Sequence, residues 1–250
     1  MPTLTNSLEG GSNGTTVSNA NSGGASGSAF DTVSTVSGGT LAYDNTRAAH
    51  GGLSLKVATS TTAGASSANW TTSLATQTVQ TWFRLYCYFT ANPAATINIF
   101  RFNNSSSGNC AMLQLGTGGL LLWQNAAFSN ITGTTFTNAI PLNAWFRIEG
   151  FVFPSTTVGQ VSASLYTSMD SATALETKTS AATQVLAANL AQGLFGTVTS
   201  VASVTAFWVD DLGVSTTAAL GPAVPAQLLP QQYSRFRVRG KRRTRTAVYR

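Results

Sequence analysis

Two short segments of the chain begin with the same three residues and then alternate between two kinds of side chain. They read WFRLYCYF at 82–89 and WFRIEGF at 145–151. Because successive side chains of a strand point to opposite faces, one face of each segment combines aromatic rings with charged groups. Aromatic rings stack on sugars, and a few charged groups can orient the hydroxyls. The candidate glycan-binding residues are Trp82, Arg84, Tyr86, Tyr88, Trp145, Arg147 and Glu149.

The same face has a second interpretation that the sequence leaves open. Aromatic side chains are enriched at subunit interfaces, and they can also form a second apolar layer beneath a loop. The partners implied are therefore host glycans under the first interpretation and other protein chains under the second. We expect a homo-oligomer, although nothing in the sequence counts its subunits.

The acidic residues limit the enzymatic mechanisms that the chain could support. Hydrolysis of a glycosidic bond uses two carboxyl groups that flank it, and Glu149 is the one acid on the aromatic face, where Arg84 or Arg147 can neutralise it. The single histidine, His50, precedes Gly51-Gly52 in a predicted turn, which favours a turn or surface role. The sequence therefore predicts a non-enzymatic protein, and a glycan-cleaving enzyme is the weakest alternative.

The basic residues are concentrated at the C-terminal end. The 250-residue chain has 14 Lys and Arg, eight of them between Arg235 and Arg250, so residues 1–234 carry a net charge of −2. An extended strand at 234–240 would place arginines on one side and apolar residues on the other, which suits pairing with a partner chain. Nucleic acid is a less favoured partner, because a stacking platform is missing. The predicted anchoring residues are Arg235, Phe236, Arg237, Val238, Arg239, Lys241, Arg242, Arg243 and Arg245.

The elements that must position these residues are short strands separated by Gly, Asn, Ser and Pro, a pattern typical of a β-sandwich. We predict a domain at 1–220, a Pro-rich linker at 221–232 and a basic tail at 233–250, with 10–28 as a surface loop too polar to pack. Strands are predicted at 3–9, 29–35, 40–44, 52–59, 66–71, 79–90, 95–102, 110–116, 119–124, 144–153, 159–167, 193–199 and 204–215.

Composition indicates a protein exposed outside a cell or on a particle. Apolar residues make up 43% of the chain but charged residues only 9%, against about 25% in average domains. No apolar run long enough to span a membrane is present, and MPTLTNSLEGG has no secretory signal character. We therefore expect synthesis in a host cytoplasm and release by lysis. Cys87 and Cys110 are interpreted as two buried thiols, with a bridge as the alternative.

The motifs together resemble a known fold family. The segments YDNTRAAHGGLSLKV at 43–57, WFRLY at 82–86, WFRIE at 145–149 and FWVDDL at 207–212 are similar to concanavalin A-like (laminin-G-like) jelly rolls and to β-sandwich carbohydrate-binding modules. The resemblance implies an all-β fold, an antiparallel two-sheet jelly-roll sandwich, here with an extended C-terminal tail. It also implies a sugar site on one sheet or its rim loops.

The resemblance further implies a structural calcium ion. Jelly rolls often bring their terminal strands together, which would place Glu9 near Asp210 and Asp211, and calcium prefers several carboxylate and carbonyl oxygens. The alternative is that these acids cap loop amides.

These expectations lead to two functional hypotheses. The first is a structural protein on the surface of a bacteriophage-type virion, a capsid decoration or minor tail protein docked through the basic tail. The alternative is a carbohydrate-binding module for adhesion to host glycans.

Overall fold

The computed structural model describes residues 3–62, 64–201 and 206–223, and these residues form an all-β fold. Among them, one three-residue 3-10 turn at Gly24–Ser26 is the sole helical element, so none is long enough to cross a membrane. The strands are β1 Thr3–Asn6, β2 Thr32–Ser34, β3 Thr40–Asp44, β4 Ser54–Ala58, β5 Gly64–Trp70, β6 Thr81–Phe89, β7 Ile97–Asn103, β8 Asn109–Leu115, β9 Leu121–Asn125, β10 Trp145–Phe153, β11 Gln160–Tyr166, β12 Glu176–Thr179, β13 Gln192–Val201 and β14 Ala206–Ser215.

The strands form two antiparallel sheets, which confirms the predicted two-sheet jelly-roll sandwich. Sheet A has the order β12-β11-β10-β6-β14-β4-β3, and β1 pairs with part of β14 as its eighth strand. Sheet B has the order β2-β5-β13-β7-β8-β9.

The core lies between the sheets and is dominated by aromatic rings. Alternation along β6 turns Phe83, Leu85, Cys87 and Phe89 inward, and all four are buried. The Phe83 ring stacks on Phe100 of sheet B with 4.3 Å between centroids, and Trp123 meets Phe83 edge-on at 5.6 Å. Such ring pairs contribute about 0.5–1.5 kcal/mol each beyond the area they bury.

The repeated WFR segments are neighbouring strands of sheet A. Strands β6 and β10 pair antiparallel, with Trp82 opposite Phe151 and Tyr88 opposite Trp145. Because the strands run in opposite directions, the two repeats begin at opposite ends of the sheet. Their aromatic and charged side chains therefore form one continuous outer face.

The terminal strands also meet, as predicted. Strand β14 is bulged: its register with β6 shifts between Asp210 and Gly213, and Asp211 has a φ of 45°. On the opposite edge, β14 pairs with β4 before the bulge and with β1 after it. A bulge increases local twist and re-aims side chains, and here it directs two consecutive carboxylates toward neighbouring loops.

The structure differs from the sequence predictions at one strand and one loop, and it agrees with them on the cysteines. Strand β12 (ETKT) was not predicted, because it contains no apolar residue to reveal an alternating pattern. The prediction that 10–28 is too polar to pack was wrong: Val17 is buried, and its N–H donates to the Leu41 carbonyl on the edge of β3. Cys87 and Cys110 are free, buried thiols, which confirms the leading interpretation of the two cysteines.

The chain leaves β14 and turns back over the outer face of sheet A. Residues 219–223, called here the cover segment, lie against that face, and Ala223 is buried there. The first three residues of the predicted linker therefore contact the domain. The rest of the linker and the predicted anchoring tail at 233–250 lie outside the described residues.

Candidate functional site

The outer face of sheet A is organised in rows that run across the strands. The register aligns Trp82 with Phe151, Arg84 with Glu149, Tyr86 with Arg147, and Tyr88 with Trp145. The rows extend onto β11 and β14, so Tyr166 lies beside Arg147, and Trp208 lies beside Tyr88. All seven predicted glycan-binding residues therefore share one face.

The middle of this face is closed. Arg84 and Tyr86 are buried, and the cover segment is bound to both: Arg84 donates from Nη1 to the Gly221 carbonyl at 3.0 Å, and Ala223 N–H donates to the Tyr86 hydroxyl at 2.7 Å. Arg84 also donates from Nε to the Asp211 carbonyl at 3.0 Å. These two predicted ligand-binding residues serve mainly to attach the cover segment.

Arg147 is buried more deeply than Arg84, with only 1% of its surface exposed. Its guanidinium donates to the carbonyls of Met169 and Ser171, and it stacks over the Tyr166 ring at 4.0 Å. Its Nε lies 3.1 Å from Glu149 Oε1, an ion pair without hydrogen-bond geometry. Arg147 therefore fixes the 169–171 loop and partly neutralises Glu149.

A cleft of about 150 Å³ remains open beside the closed region. Glu149 lines the cleft between aromatic side chains from three strands, and the cover segment forms its opposite wall. Burial raises the pKa of Glu149, and the nearby charges of Arg147 and Arg84 oppose that rise. The lining residues are Trp82, Phe83, Glu149, Gly150, Phe151, Ser162, Ser164, Tyr166, Ala219 and Leu220.

At the other end of the face, three aromatic residues are combined with stacked cations. The Tyr88 ring meets Trp145 and Trp208 edge-on at 5.7 Å and 5.9 Å. The Arg47 guanidinium lies 4.2 Å from the Trp208 ring and 4.8 Å from the Tyr88 ring, and it occupies part of this surface. Tyr88 and Trp145 remain partly exposed.

His50, predicted to serve in a turn, forms a link between two carboxylates beside the cover segment. Its Nδ1 contacts the Asp211 carboxylate, and its Nε2 lies 3.1 Å from Asp170 Oδ1. Tyr86 donates its hydroxyl to Asp170 at 3.3 Å and meets the His50 ring edge-on at 5.2 Å. Burial lowers the pKa of His50, but the two carboxylates outweigh burial, so the pKa is raised.

The acids predicted to bind calcium are each occupied by protein donors. Asp210 accepts from the Ala49 and Asp211 amides at 2.8 Å, and burial together with the charge of Asp211 raises its pKa well above the usual value. Glu9 accepts from the Gly52 and Leu53 amides. Across residues 3–62, 64–201 and 206–223, no group of three or more His, Cys, Asp or Glu side chains could hold a metal ion. The carboxylates do not share a cation position, and the calcium prediction rests on the sequence alone.

Sequence reasoning missed several residues of the cleft and of the histidine network. Tyr166 is the last residue of a strand, and the sequence pattern did not indicate that it lies beside Arg147. Leu220 was predicted to be the last residue of the domain and not part of a site. Asp170 lies in a loop that is brought to His50 by the fold alone. Phe151 was detectable, because it continues the alternation of the second WFR segment.

Comparisons with known proteins describe the fold. The structure is similar to "Cellulose induced protein, Cip1", with a TM-score of 0.60 and 16% identity over 88% of this chain and 100% of that chain. It is similar to endo-β-1,4-glucuronan lyase from the fungus Trichoderma reesei, with a TM-score of 0.55 and 12% identity over 75% and 91% of the chains. A protein of unknown function from Shewanella oneidensis MR-1 has a TM-score of 0.56 and 16% identity over 85% and 84% of the chains.

No protein-family model matches the chain, and no curated protein is similar to it in sequence. At identities of 12–16%, the structural similarities show a shared β-sandwich fold and not a shared activity.

Proposed function

We propose that the protein is a carbohydrate-binding β-sandwich that holds one sugar residue in the cleft on sheet A. The observation that carries this proposal is the composition of the cleft: three aromatic side chains, Trp82, Phe151 and Tyr166, surround the Glu149 carboxyl group. Sugar recognition needs aromatic surface for the C–H faces and a few polar groups for the hydroxyls.

The size of the cleft restricts the ligand. A volume of about 150 Å³ is below the roughly 300–1,000 Å³ of typical small-molecule sites. We therefore propose that the cleft takes a terminal or branching residue of a glycan. Ser162 and Ser164 line the side opposite the cover segment, and Ser164 is hydrogen-bonded to Thr177 at 2.7 Å, which orients its hydroxyl group.

The comparisons support this proposal through the fold. The similar structures include a lyase that is named for a polysaccharide and a protein that is named for induction by cellulose. We propose binding without catalysis, because Glu149 is the one acid among the residues that line the cleft, and glycosidic hydrolysis by paired acids needs two.

A matched pair of substitutions tests the cleft. Trp82→Ala removes an aromatic wall, whereas Trp145→Ala removes the equivalent residue of the second WFR segment at the far end of the same face. We expect Trp82→Ala to weaken binding of a glycan identified on an array by at least about tenfold, about 1.4 kcal/mol, and Trp145→Ala to leave it unchanged.

Calorimetric titration of both variants and the wild-type protein, with circular dichroism to check folding, gives the result. The proposal is contradicted if Trp145→Ala abolishes binding while Trp82→Ala does not, or if wild-type protein binds nothing on an array of neutral and acidic glycans.

We propose a second function on the charge distribution alone. Eight of the 14 basic residues lie between Arg235 and Arg250 without an acid among them, which suits docking on an acidic partner such as a virion component. Deletion of residues 233–250 should abolish incorporation into particles and leave the domain folded. Particles that retain the truncated protein would exclude this role.

A further inference from the structure

Sheet B contains a single charged residue. Its six strands read TVS, GASSANW, INIFRFN, NCAMLQL, LLWQN and QGLFGTVTSV, and Arg101 on β7 is the one Lys, Arg, Asp or Glu among them. Since Phe100 and Phe102 are both buried in the core, Arg101 points to the outer face. It lies near the centre of the sheet, between Leu194 of β13 and Met112 of β8.

Arg101 is partly buried and has no partner. Within the described part of the chain its side chain makes no hydrogen bond or ion pair, and its Nε is inaccessible to solvent without an acceptor. Burial lowers the pKa of the guanidinium group. A partly desolvated cation is costly unless an anion or hydrogen-bond acceptors compensate it, and no described residue supplies either.

Two amide oxygens on the same outer face are also buried without partners. Asn69 donates from Nδ2 to Thr32 at 3.2 Å, and Asn103 donates from Nδ2 to Gln192 at 3.2 Å, but the Oδ1 atom of each accepts nothing. Asn103 is two residues from Arg101 on β7. Asn69 is two strands away, on β5, and both Asn69 and Arg101 are paired with Leu194 of β13. The separations are about 7 Å and 10 Å from strand geometry.

The residues paired with Arg101 on this face are apolar and buried. Met112 and Leu194 are on the outer face, but Met112 is fully buried and Leu194 is 7% exposed. Arg101 therefore lies among buried apolar side chains, and the same face holds two buried amide oxygens without partners.

We propose that Arg101, Asn69 and Asn103 form a second binding site on sheet B, specific for a saccharide that carries an oxyanion. The guanidinium group pairs with a carboxylate or sulfate, because its planar set of donors matches these anions in bidentate geometry. The Oδ1 atoms of Asn69 and Asn103 accept from sugar hydroxyl groups. The choice of a saccharide as carrier rests on the proposed function, whereas the oxyanion follows from Arg101 itself.

A purely structural role of Arg101 makes different predictions. Long side chains can cover apolar surface with their methylene groups, and Arg101 could serve only to cover Met112. In that case Arg101→Met, which keeps a stem of similar length, would change no binding property.

The test uses the full-length wild-type chain, Arg101→Met, Arg101→Lys and Trp82→Ala. Trigalacturonate supplies carboxylates, a sulfated galactose disaccharide supplies sulfate, and maltotriose is the neutral control. We expect wild-type protein to bind one of the two anionic probes at least tenfold more tightly than maltotriose. Arg101→Met should remove that preference, Arg101→Lys should restore part of it, and Trp82→Ala should retain it. The thermal midpoint of each variant shows whether it folds.

The outcomes separate this proposal from the cleft on sheet A. Retention of anionic selectivity in a folded Arg101→Met variant overturns the sheet B site, as does equal affinity of the wild-type protein for all three probes. If Arg101→Met does not fold, Arg101→Lys tests the sheet B site instead. A lysine ammonium group cannot pair with an oxyanion in bidentate geometry, so the substitution must weaken binding of the anionic probe. If Trp82→Ala loses binding of a neutral glycan, this result concerns the sheet A cleft and not the sheet B site.

Discussion

The arginines on the outer faces of the two sheets differ in their hydrogen-bond partners. On sheet A, Arg84 and Arg147 are buried but donate to carbonyl groups of the cover segment, the β14 bulge and the 169–171 loop. On sheet B, Arg101 is partly buried and meets no acceptor among the described residues. The buried arginines of sheet A hold loops in place, whereas the arginine of sheet B is bonded to no loop in the described part of the chain.

This difference distinguishes an arginine that stabilises the fold from an arginine that is available to bind a ligand. A buried arginine with several acceptors is explained by the fold, and removing it leaves those acceptors unsatisfied. A partly buried arginine without described acceptors is explained better by a ligand that is not part of the chain. The aromatic face of sheet A was predicted to bind a ligand, but two of its seven predicted residues, Arg84 and Tyr86, lie beneath the cover segment.

The largest expected effect compares one arginine from each sheet. Arg147→Met should destabilise the protein by about 3–5 kcal/mol, because it leaves Glu149 buried beside one remaining cation and frees two loop carbonyls. Arg101→Met should change stability by less than about 1 kcal/mol or increase it, since no partner among the described residues is lost.

Urea unfolding of both variants, followed by fluorescence, measures these changes in the free energy of unfolding. Equal destabilisation by the two substitutions would remove the contrast between the sheets.

A smaller effect is expected at the cover segment. Tyr86→Phe removes the hydroxyl that accepts from Ala223 N–H and donates to Asp170. We expect a loss of about 1–3 kcal/mol, because a buried N–H group is left unsatisfied, and faster amide hydrogen exchange at Ala223. Tyr88→Phe, on the same strand but partly exposed, is the control. An unchanged exchange rate at Ala223 would show that the segment is held by other contacts.

The pH dependence of stability should come largely from His50 and the groups that contact it. Because the folded pKa of His50 is raised above its ordinary value of 6.5, its contribution is complete below that pH and is lost as pH rises through the folded pKa. Asp210 acts in the same direction, since its folded pKa is also raised. Asp211, Asp170 and Tyr86 are the remaining titratable groups that face His50.

Thermal midpoints measured between pH 5.5 and 9 should fall with rising pH in the wild-type protein and fall less in His50→Gln. A variant profile that parallels the wild type would show that another group controls this dependence.

The smallest expected effect concerns calcium. The thermal midpoint should not change on addition of EDTA, because Glu9, Asp210 and Asp211 accept hydrogen bonds from protein N–H groups or pair with His50. A lower midpoint in EDTA that calcium restores would show a metal site which the arrangement of these three carboxylates does not explain.

The fold was predictable because alternation and turn residues are local signals. The pairing of β6 with β10 could be proposed from the two WFR segments, and the meeting of Glu9 and Asp210 regions followed from the resemblance to jelly rolls. The separation of core from outer residues on β6 was also correct, since Phe83, Leu85, Cys87 and Phe89 are buried between the sheets.

The site was less predictable because burial of an outer face depends on contacts that are distant in sequence. Arg84 and Tyr86 are closed off by Gly221 and Ala223, which are 137 residues away along the chain. Arg101 was not predicted as a site residue, because a single arginine in a strand has no local sequence signature. Its lack of partners among the described residues depends on the three-dimensional fold.

We propose that each outer face has its own binding site: the cleft beside Trp82 on sheet A and the surface around Arg101 on sheet B. Two-dimensional ¹H–¹⁵N NMR of the full-length chain, titrated in parallel with a neutral and a uronate-containing oligosaccharide, tests it most directly. We predict that the Trp82 indole N–H shifts when the cleft is filled and that the Arg101 Nε–H shifts only with the uronate. If neither resonance moves with any ligand that the protein binds, or if the neutral sugar moves Arg101 equally, the claim is contradicted.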